Sequence, residues 1–481
     1  MTIGVEVTTS LRSGPTNNGA LSGRLHVAGL TERGPVGPGV LVTSLSQYEA
    51  VFGGRTAYSS SLYDTARTFW EEGGAELIVS RTVGPTAGNG QIILKDTLDV
   101  DTVKIEASQP GAFSTELSVQ VDTTGSTYKV TLYRGLDVIG TYAGLDSPAA
   151  LVDALRNNTS VRATDLLSDT AAPGNLPVTT VKSPLSAGTD DRASVTAASI
   201  GAALDAAGEL GAGGAVAAPG FPADVIGATL LAHAKAKGKI ALLAGEVDTS
   251  SAQVIEMATA LNTSGGEYGG IFHPHLIIPD GSGTRTISPE GYVAAVRARA
   301  HLETGFWQAP AGDRARTRWA LGTVTTVDVA ANNILADGLV NGIVTTGTRV
   351  RLYNWASLAA DQENLALLSS RDVLNSLSIR LADAMEPFVF AAIDGKGWLL
   401  SKVESAAVGV LDPVARAGGF FALEADGEEI DPGYSVVVNS TNNTVDSLAK
   451  NQVLVSAAVR LAPMAALINV DIVKVAVTAT V

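Results

Sequence analysis

The sequence predicts an α/β fold in a multidomain α+β chain. Its parts are an α/β domain with a mixed or parallel sheet, an antiparallel β-sandwich or barrel inserted into it, an α+β C-terminal domain, and extended strand arms at both ends. Three observations lead there. Strands alternate with helices from about Arg24 to Val83 and again from Asp191 onward; between these blocks short alternating runs are separated by Gly, Asp, Ser and Thr; and both termini carry β-patterned residues. The expected division is residues 1–23 as arm and tether, 24–88 and 190–360 as the α/β domain, 89–189 as an outward-facing insertion, 361–465 as the C-terminal domain and 466–481 as a second arm.

Composition sets the outer limits. With 481 residues, 46% hydrophobic and 17% charged, the chain can bury several cores. A net charge of -15 argues against direct nucleic-acid binding, which needs a basic surface. No apolar run has the length of a membrane span, so no membrane insertion is expected, and Met1 to Glu6 lacks the basic start of a signal peptide, which places folding in the cytosol. Cysteine is absent, which excludes disulfides and thiolate chemistry.

In the first block, Leu25, Val27 and Gly29 open a strand, Gly34-Pro35 and Pro38-Gly39 punctuate a loop, and Val40-Leu41-Val42 is a second strand. Ser44 with Gln47 three residues on starts a short helix ending at Phe52-Gly53-Gly54. Leu62, Ala66, Phe69 and Trp70 form the stripe of a second helix stopped by Gly73-Gly74, and Leu77 to Val83 is the returning strand. In the insertion, Val103–Ala107, Leu117–Val121, Tyr128–Tyr133 and Val138–Tyr142 read as antiparallel strands. Ser147-Pro148 starts a helix, and Pro173 to Gly188 is expected to be a loop. The second block alternates a helix at Ser199–Leu210, strand Ala215–Ala218, a helix with Ile226, Leu230 and Leu231, strand Lys239–Ala244, a helix with Val254, Ile255, Ala258 and Leu261, and the apolar run Leu276-Ile277-Ile278. Strands spaced by helices imply right-handed crossovers and a parallel sheet.

Such a sheet offers ligand sites at its carboxyl edge, here the loops at Pro219, Glu246-Val247-Asp248 and Asp280. The residues argue against catalysis. Gly211 to Gly214 follow a helix and precede a strand, the reverse of a nucleotide-binding turn, and no nucleophile elbow, phosphate loop or HExxH helix occurs. His273 and His275 flank Pro274 without a third ligand at metal-site spacing and read as a solvated or hydrogen-bonded pair; His233 reads as a core histidine, and Asp248 as a helix cap. No cofactor or metal is expected.

Several stretches resemble the contractile-tail sheath proteins of bacteriophages. Gly29-Leu30-Thr31-Glu32-Arg33-Gly34-Pro35-Val36, then Val40 to Ser44, Phe52-Gly53-Gly54 and Phe69-Trp70-Glu71-Glu72-Gly73-Gly74 are similar to the family's N-terminal signature in order and spacing. The helix begun by Ser288-Pro289-Glu290-Gly291 and the turn Thr304-Gly305-Phe306-Trp307-Gln308-Ala309-Pro310-Ala311-Gly312 resemble its central element. Leu339-Val340-Asn341-Gly342-Ile343 resembles the next, with Val344 where a second asparagine is common. Helices from Arg371 (stripe Leu374, Leu377, Leu381) and from Asp394 follow in the family's order, with Phe390-Ala391-Ala392-Ile393 in place of Phe-Glu-Pro-Asn. A hairpin of Phe420–Ala425 with Ser435–Val438, the turn Thr441-Asn442-Asn443-Thr444 and Arg460-Leu461-Ala462-Pro463 complete it.

The resemblance implies a non-enzymatic structural subunit of a virion tail, assembled in the host cytoplasm into hexameric layers that stack helically around a tail tube. It also implies baseplate and tail terminator partners. The arms are the expected links between copies. Ile3, Val5 and Val7 alternate near the N-terminus; Gln452–Leu461 alternates again, and beyond Pro463 come Ile468, Val470, Ile472 and Val473, C-terminal strands that either close the chain's own sheet or complete a sheet in another subunit. The family places the C-terminal domain next to the tube. The helix expected from Asp394 to Val410, burying Trp398, Leu399 and Val403 and presenting Lys396 and Lys402, is the expected tube contact. The alternatives are a sheath of an extracellular contractile injection machine, a non-contractile capsid or surface-layer protein, and an oligomeric α/β enzyme.

Overall fold

The structure, a computed structural model, describes residues 22–465 apart from 348, 426 and 427. The described residues divide into two compact units, 22–303 with 310–371, and 304–309 with 372–465.

The first unit is organised by an eight-stranded sheet. Strand β1 (Leu25–Gly29) leads through β2 (Val40–Val42), helix α1 (Leu45–Phe52) and helix α2 (Ser60–Glu71) to β3 (Leu77–Arg81). Ser44 caps α1 by accepting from Gln47 N, while Gln47 Oε1 reaches back to Thr43 N at 2.9 Å. All five residues of β1 and of β3 are buried, as expected of strands covered on both faces.

The insertion follows, with β4 (Gln91–Lys95), β5 (Asp101–Ala107), β6 (Leu117–Thr124), β7 (Thr127–Arg134), β8 (Asp137–Leu145), helix α3 (Pro148–Ala154), β9 (Val161–Asp165) and β10 (Thr180–Pro184). A three-stranded sheet β4-β5-β9 and a four-stranded sheet β10-β6-β7-β8 share one core that includes Val103, Ile105, Val119, Val121, Val130 and Leu132. This is the expected antiparallel sandwich, with one difference. Thr180–Pro184 is an edge strand on β6, not a loop; Thr-Val-Lys-Ser-Pro reads as polar because only one side of it is paired.

A neck of two chain crossings joins the sandwich to the sheet. Gly84 N donates to Asp190 O, and Gly88 and Thr189 exchange backbone hydrogen bonds, each at 2.9 Å. Arg81, at the end of β3, is 1% exposed and donates to Gly34 O and Pro110 O at 2.8 Å and to Asp190 Oδ1 at 2.7 Å. Asp190 also accepts from Ala112 N and Arg192. A Cβ on Gly84 would stand 2.0 Å from Asp191 O, and one on Gly90 1.9 Å from Ser186 O, so the crossing is closed to any side chain at these positions.

The sheet then resumes with helix α4 (Ala197–Asp205), β11 (Ala215–Ala217), α5 (Ala223–Lys237), β12 (Ile240–Ala244), α6 (Ser251–Leu261) and β13 (Gly269–His273). Helix α4 stops at Asp205, short of the expected Leu210. Next come β14 (Leu276–Asp280), β15 (Gly283–Ile287), α7 (Glu290–Glu303), β16 (Gly322–Thr323), α8 (Val329–Asp337), β17 (Val340–Thr346) and β18 (Arg349–Leu352). Strand order is β18-β17-β13-β12-β11-β1-β3-β2, parallel from β17 to β3 and antiparallel at both edges. Helices α4, α5 and α6 cover one face through a core that includes Ile200, Ile226, Leu230, Leu243 and Ile271. The third strand of the second block is thus Gly269–His273, and Leu276–Asp280 belongs instead to an antiparallel sheet β15-β14-β16. Two glycines conceal that strand: a Cβ on Gly269 would meet Leu231 at 2.6 Å, and one on Gly270 would meet Asn341 Nδ2 at 2.8 Å. Beyond β18, Asn341, fully buried, donates to Ala356 O at 2.9 Å and accepts from Ala356 N at 2.5 Å, and Leu358 N bonds Gly269 O at 3.0 Å.

The second unit holds most of helix α9 (Leu368–Met385), then α10 (Trp398–Arg416), β19 (Leu423–Ala425), β20 (Glu428–Asp431), β21 (Tyr434–Val437), α11 (Val445–Ala449) and β22 (Ser456–Val459). Val373 and Leu377, four residues apart, face its core with Leu411, Val414, Phe420 and Phe306; Leu374 and Leu381 lie half-buried to the side, so the stripe is rotated from the expected one. The aromatic turn contributes to this core. Phe306 is 4% exposed, Arg380 stacks over its ring at 4.7 Å, and a Cβ on Gly419 would crowd Trp307 at 3.0 Å.

Candidate interaction sites

Two of the three loops expected at the carboxyl edge of the sheet, those at Pro219 and Glu246, meet in a cleft of about 300 Å³ lined by Asp64, Gly220, Glu246, His275, Ser288 and Glu290 among others, whereas Asp280 lies at the β14–β15 turn and does not line it. Asp64 and Asp280 are tied up by arginines, and Glu290 accepts from Ser288. Asp64 takes Arg55 Nε at 3.0 and 3.1 Å and lies 2.9 Å from Arg285 Nη2, whose Nη1 bonds Asp280 at 2.9 Å. Burial raises the pKa of Asp64 and of Glu290, favouring the neutral form of each carboxyl. His273 and His275 are buried, not solvated; His273 Nε2 lies 3.4 Å from Ser251 Oγ, and burial pushes His275 down to about 4. Asp248 is not a cap. Ser250 takes that place, accepting from Gln253 N while Gln253 Oε1 accepts from Ser250 N, a complete capping box. Among the described residues no group of three His, Asp or Glu side chains is arranged to hold a metal ion. His233 is a core histidine, 5% exposed, bonded through Nδ1 to Asp205 at 2.8 Å.

The second unit offers open surface. Helix α10 begins at Trp398, not Asp394; Asp394 instead caps it from outside, accepting from Lys396 N, Trp398 N and Leu399 N at 2.8 to 3.1 Å, and those amides hold its carboxyl below the usual range. Lys396 therefore stands in the turn before the helix and Lys402 on its second turn, both exposed. Trp398 does not enter the core: it is 66% exposed, while Leu399, Val403, Ala407, Leu411 and Val414 form the buried stripe. The two lysines and Trp398 converge on one groove of about 620 Å³ floored by Phe388, Ala391 and Leu399. A second groove of about 1130 Å³ runs from Met385 to Val455, with Phe390 fully exposed at its lip in a left-handed conformation, φ 62°. Neither groove was read from sequence; the apolar run Phe388-Val389-Phe390 at the end of a helix was the available signal.

The strand expected at Gln452–Leu461 is partly paired within its own chain. Ser456–Val459 forms an antiparallel ladder with Tyr434–Val437, and Leu461 bridges Phe420. The expected hairpin of Phe420–Ala425 with Ser435–Val438 does not form, since Leu423–Ala425 pairs with Glu428–Asp431. Asn443 closes the ladder's end, accepting from Leu454 N at 2.7 Å and donating to Leu454 O at 2.9 Å, while Asn442 donates to Val437 O at 2.6 Å. Among the described residues this ladder has two strands, and outside it β22 is followed only by the bridge of Leu461 to Phe420. Ile3, Val5, Val7, Ile468, Val470, Ile472 and Val473 lie outside the described residues.

Neither a family model nor a curated protein matches the sequence. Solved structures do match its fold. The sheath tail protein of Desulfitobacterium hafniense is 13% identical with a TM-score of 0.58, over 91% of this chain and 94% of that one. The sheath tail protein of Listeria innocua is 13% identical with a TM-score of 0.62, over 87% and 89%. A sheath complex of an extracellular contractile injection system, in its contracted state, is 14% identical with a TM-score of 0.56, over 98% and 99%. Mixed eight-stranded sheet, inserted sandwich and helical second unit together, this chain has the fold of the sheath tail proteins.

Proposed function

We propose that the chain is the structural subunit of a contractile tail sheath that polymerises helically around a tail tube and contracts to drive the tube through a cell envelope. The observation that carries this reading is the fold likeness along nearly the whole chain, to a sheath in its contracted state among others. The open ladder β21-β22 supports it. Two strands alone make a marginal sheet, and strands supplied by other copies would complete it. The arms at residues 1–23 and 466–481 are our assignment for those strands, with Ile3, Val5, Val7, Ile468, Val470, Ile472 and Val473 as the paired side chains. At about 1 kcal/mol net for each main-chain hydrogen bond, a strand of several residues stays joined while compact units reorient between two packings. The groove at Lys396, Trp398 and Lys402 is our assignment for the tube contact. Baseplate and tail terminator proteins are the partners at the ends of such a polymer, the virion tail is its location, and assembly takes place in the host cytoplasm. A second reading, the sheath of an extracellular injection machine, is favoured by likeness to sheath proteins of that class over 98% of this chain.

Electron microscopy of the purified chain tests the function. Tubular polymers are expected, and chains lacking residues 1–14 or 467–481 should remain folded and soluble without forming them. Sheaths of normal length from either truncated chain would remove the arms from the mechanism; monomers from the full chain at high concentration would remove the sheath.

A further inference from the structure

The core of the first unit contains a cluster of bases at the amino edge of its sheet. His26 on β1 and Lys239 before β12 are fully buried, and His233 on α5 is 5% exposed. Lys239 Nζ lies 3.0 Å from His26 Nδ1, His26 Nε2 lies 2.9 Å from Ser80 Oγ, and the two imidazoles meet edge to face at 5.9 Å. The charged groups facing this cluster from the packed elements are Asp205 on α4, Lys237 on α5, and Arg24, which is engaged with Glu76 at 2.7 Å.

The geometry accepts no further proton. With the Lys239 amine as donor to His26 Nδ1, the imidazole proton belongs on Nε2, towards Ser80, and a proton added at Nδ1 would face the amine head-on; burial holds Lys239 itself well below its ordinary range. His233 donates from Nδ1 to Asp205, which leaves Nε2 bare, and that atom is buried without a hydrogen-bond partner. A proton there would be a buried donor with no acceptor. Burial, with repulsion from Lys239, correspondingly holds both imidazoles below their ordinary range.

We propose that this cluster is an acid latch: proton uptake at His26 and His233 opens the amino edge of the sheet around β1 and loosens the entry of the chain into it. The sign follows from linkage. Both imidazoles are neutral in the closed form and charge freely in the open one, so the closed form is fully favoured above pH 6.5 and loses ground as pH falls below it. The entry at stake is residues 22–24, where Ser22 O accepts from Arg297. This inference is independent of the sheath reading.

Hydrogen–deuterium exchange of the full chain at pH 7.5, 6.5 and 5.5, corrected for intrinsic rates, tests it. Protection of β1 and β12 should fall about five-fold between pH 6.5 and 5.5 for each imidazole that charges only in the open form, about 30-fold for two. All five histidines lie outside residues 304–309 and 372–481, so the second unit is the internal control and should not change. His26→Gln with His233→Gln should flatten the response at β1. If that variant does not fold, Lys239→Met should make the wild-type slope shallower, because His26 can then charge in place. Protection at β1 that is flat with pH in the wild type, or a slope unchanged in a folded variant, overturns the latch.

Discussion

Replacing Asp190 with alanine should cost the first unit about 3 kcal/mol. The carboxylate is 4% exposed and its partner Arg81 1% exposed, so removing it strands a guanidinium in a site closed to water. Breaking a buried pair from one side typically costs about 3–5 kcal/mol. The lower end applies because Arg81 keeps its bonds to Gly34 O and Pro110 O. Asn at the same position retains an acceptor for Arg81 and should lose about half as much. The apolar double replacement Arg81→Leu, Asp190→Leu should cost clearly less than the two single changes summed, since no charge is left behind. Urea unfolding followed by tryptophan emission is the assay. None of the five tryptophans lies in residues 89–189: Trp70, Trp319 and Trp355 report the body that the neck attaches to, and Trp307 and Trp398, in the second unit, are replaced with phenylalanine in the background used for the assay. Limited proteolysis across residues 84–90 reports the neck itself. A loss under about 1 kcal/mol for Asp190→Ala, or strict additivity in the double change, would refute the clamp.

Changing both Lys396 and Lys402 to glutamate should weaken the grip on the tube without unfolding the subunit. Exposed ion pairs contribute about 0 to 1 kcal/mol each and are screened by salt, so co-sedimentation with tube should fall most at low ionic strength. An unchanged salt profile would take the tube away from this groove. Ser250→Ala should cost about 1 kcal/mol in thermal or urea unfolding, while Asp248→Ala should cost almost nothing, which separates the observed cap from the expected one. Alanine at Asp248, Asp280, His273 and His275 should leave contraction intact wherever the variant assembles. Stoichiometric nucleotide binding by wild-type polymers would restore the enzyme reading.

Strands that are apolar and glycine-free, such as Ile240–Ala244, were legible in the sequence, as were helices with a cap and a four-residue stripe. Gly269–His273 was not, because the close approach of Leu231 and Asn341 demands glycine where strand propensity is lowest. The apolar run Leu276-Ile277-Ile278 drew attention in its place. At α10 the periodicity was visible, but the exposure of Trp398 was not: position in the first turn, ahead of the buried stripe, decides it, and a sequence pattern does not locate a helix start to one residue. The two lysines could be named from charge alone. Their convergence with Trp398 on one groove depends on the turn at Asp394, which sequence reading had absorbed into the helix.

The direction of β18 sets how the first unit bears a pull. Because β18 runs antiparallel to β17, the chain leaves the sheet at the same end of its strands by which it enters at β1, four parallel ladders and one antiparallel ladder away. Tension between those two ends is therefore directed across the strands, a loading that peels an edge strand one hydrogen bond at a time. The stitches just past β18 act against that peeling. Asn341 grips Ala356 by both its amide groups and Leu358 bonds Gly269, so a load arriving from the second unit's side reaches β17 and β13 before it reaches the edge. A load arriving from residue 371 meets the Leu358–Gly269 bond first and the Asn341–Ala356 pair next, so a single-molecule pull on Asn341→Ala should unravel β18 at lower force while the rest of the sheet holds.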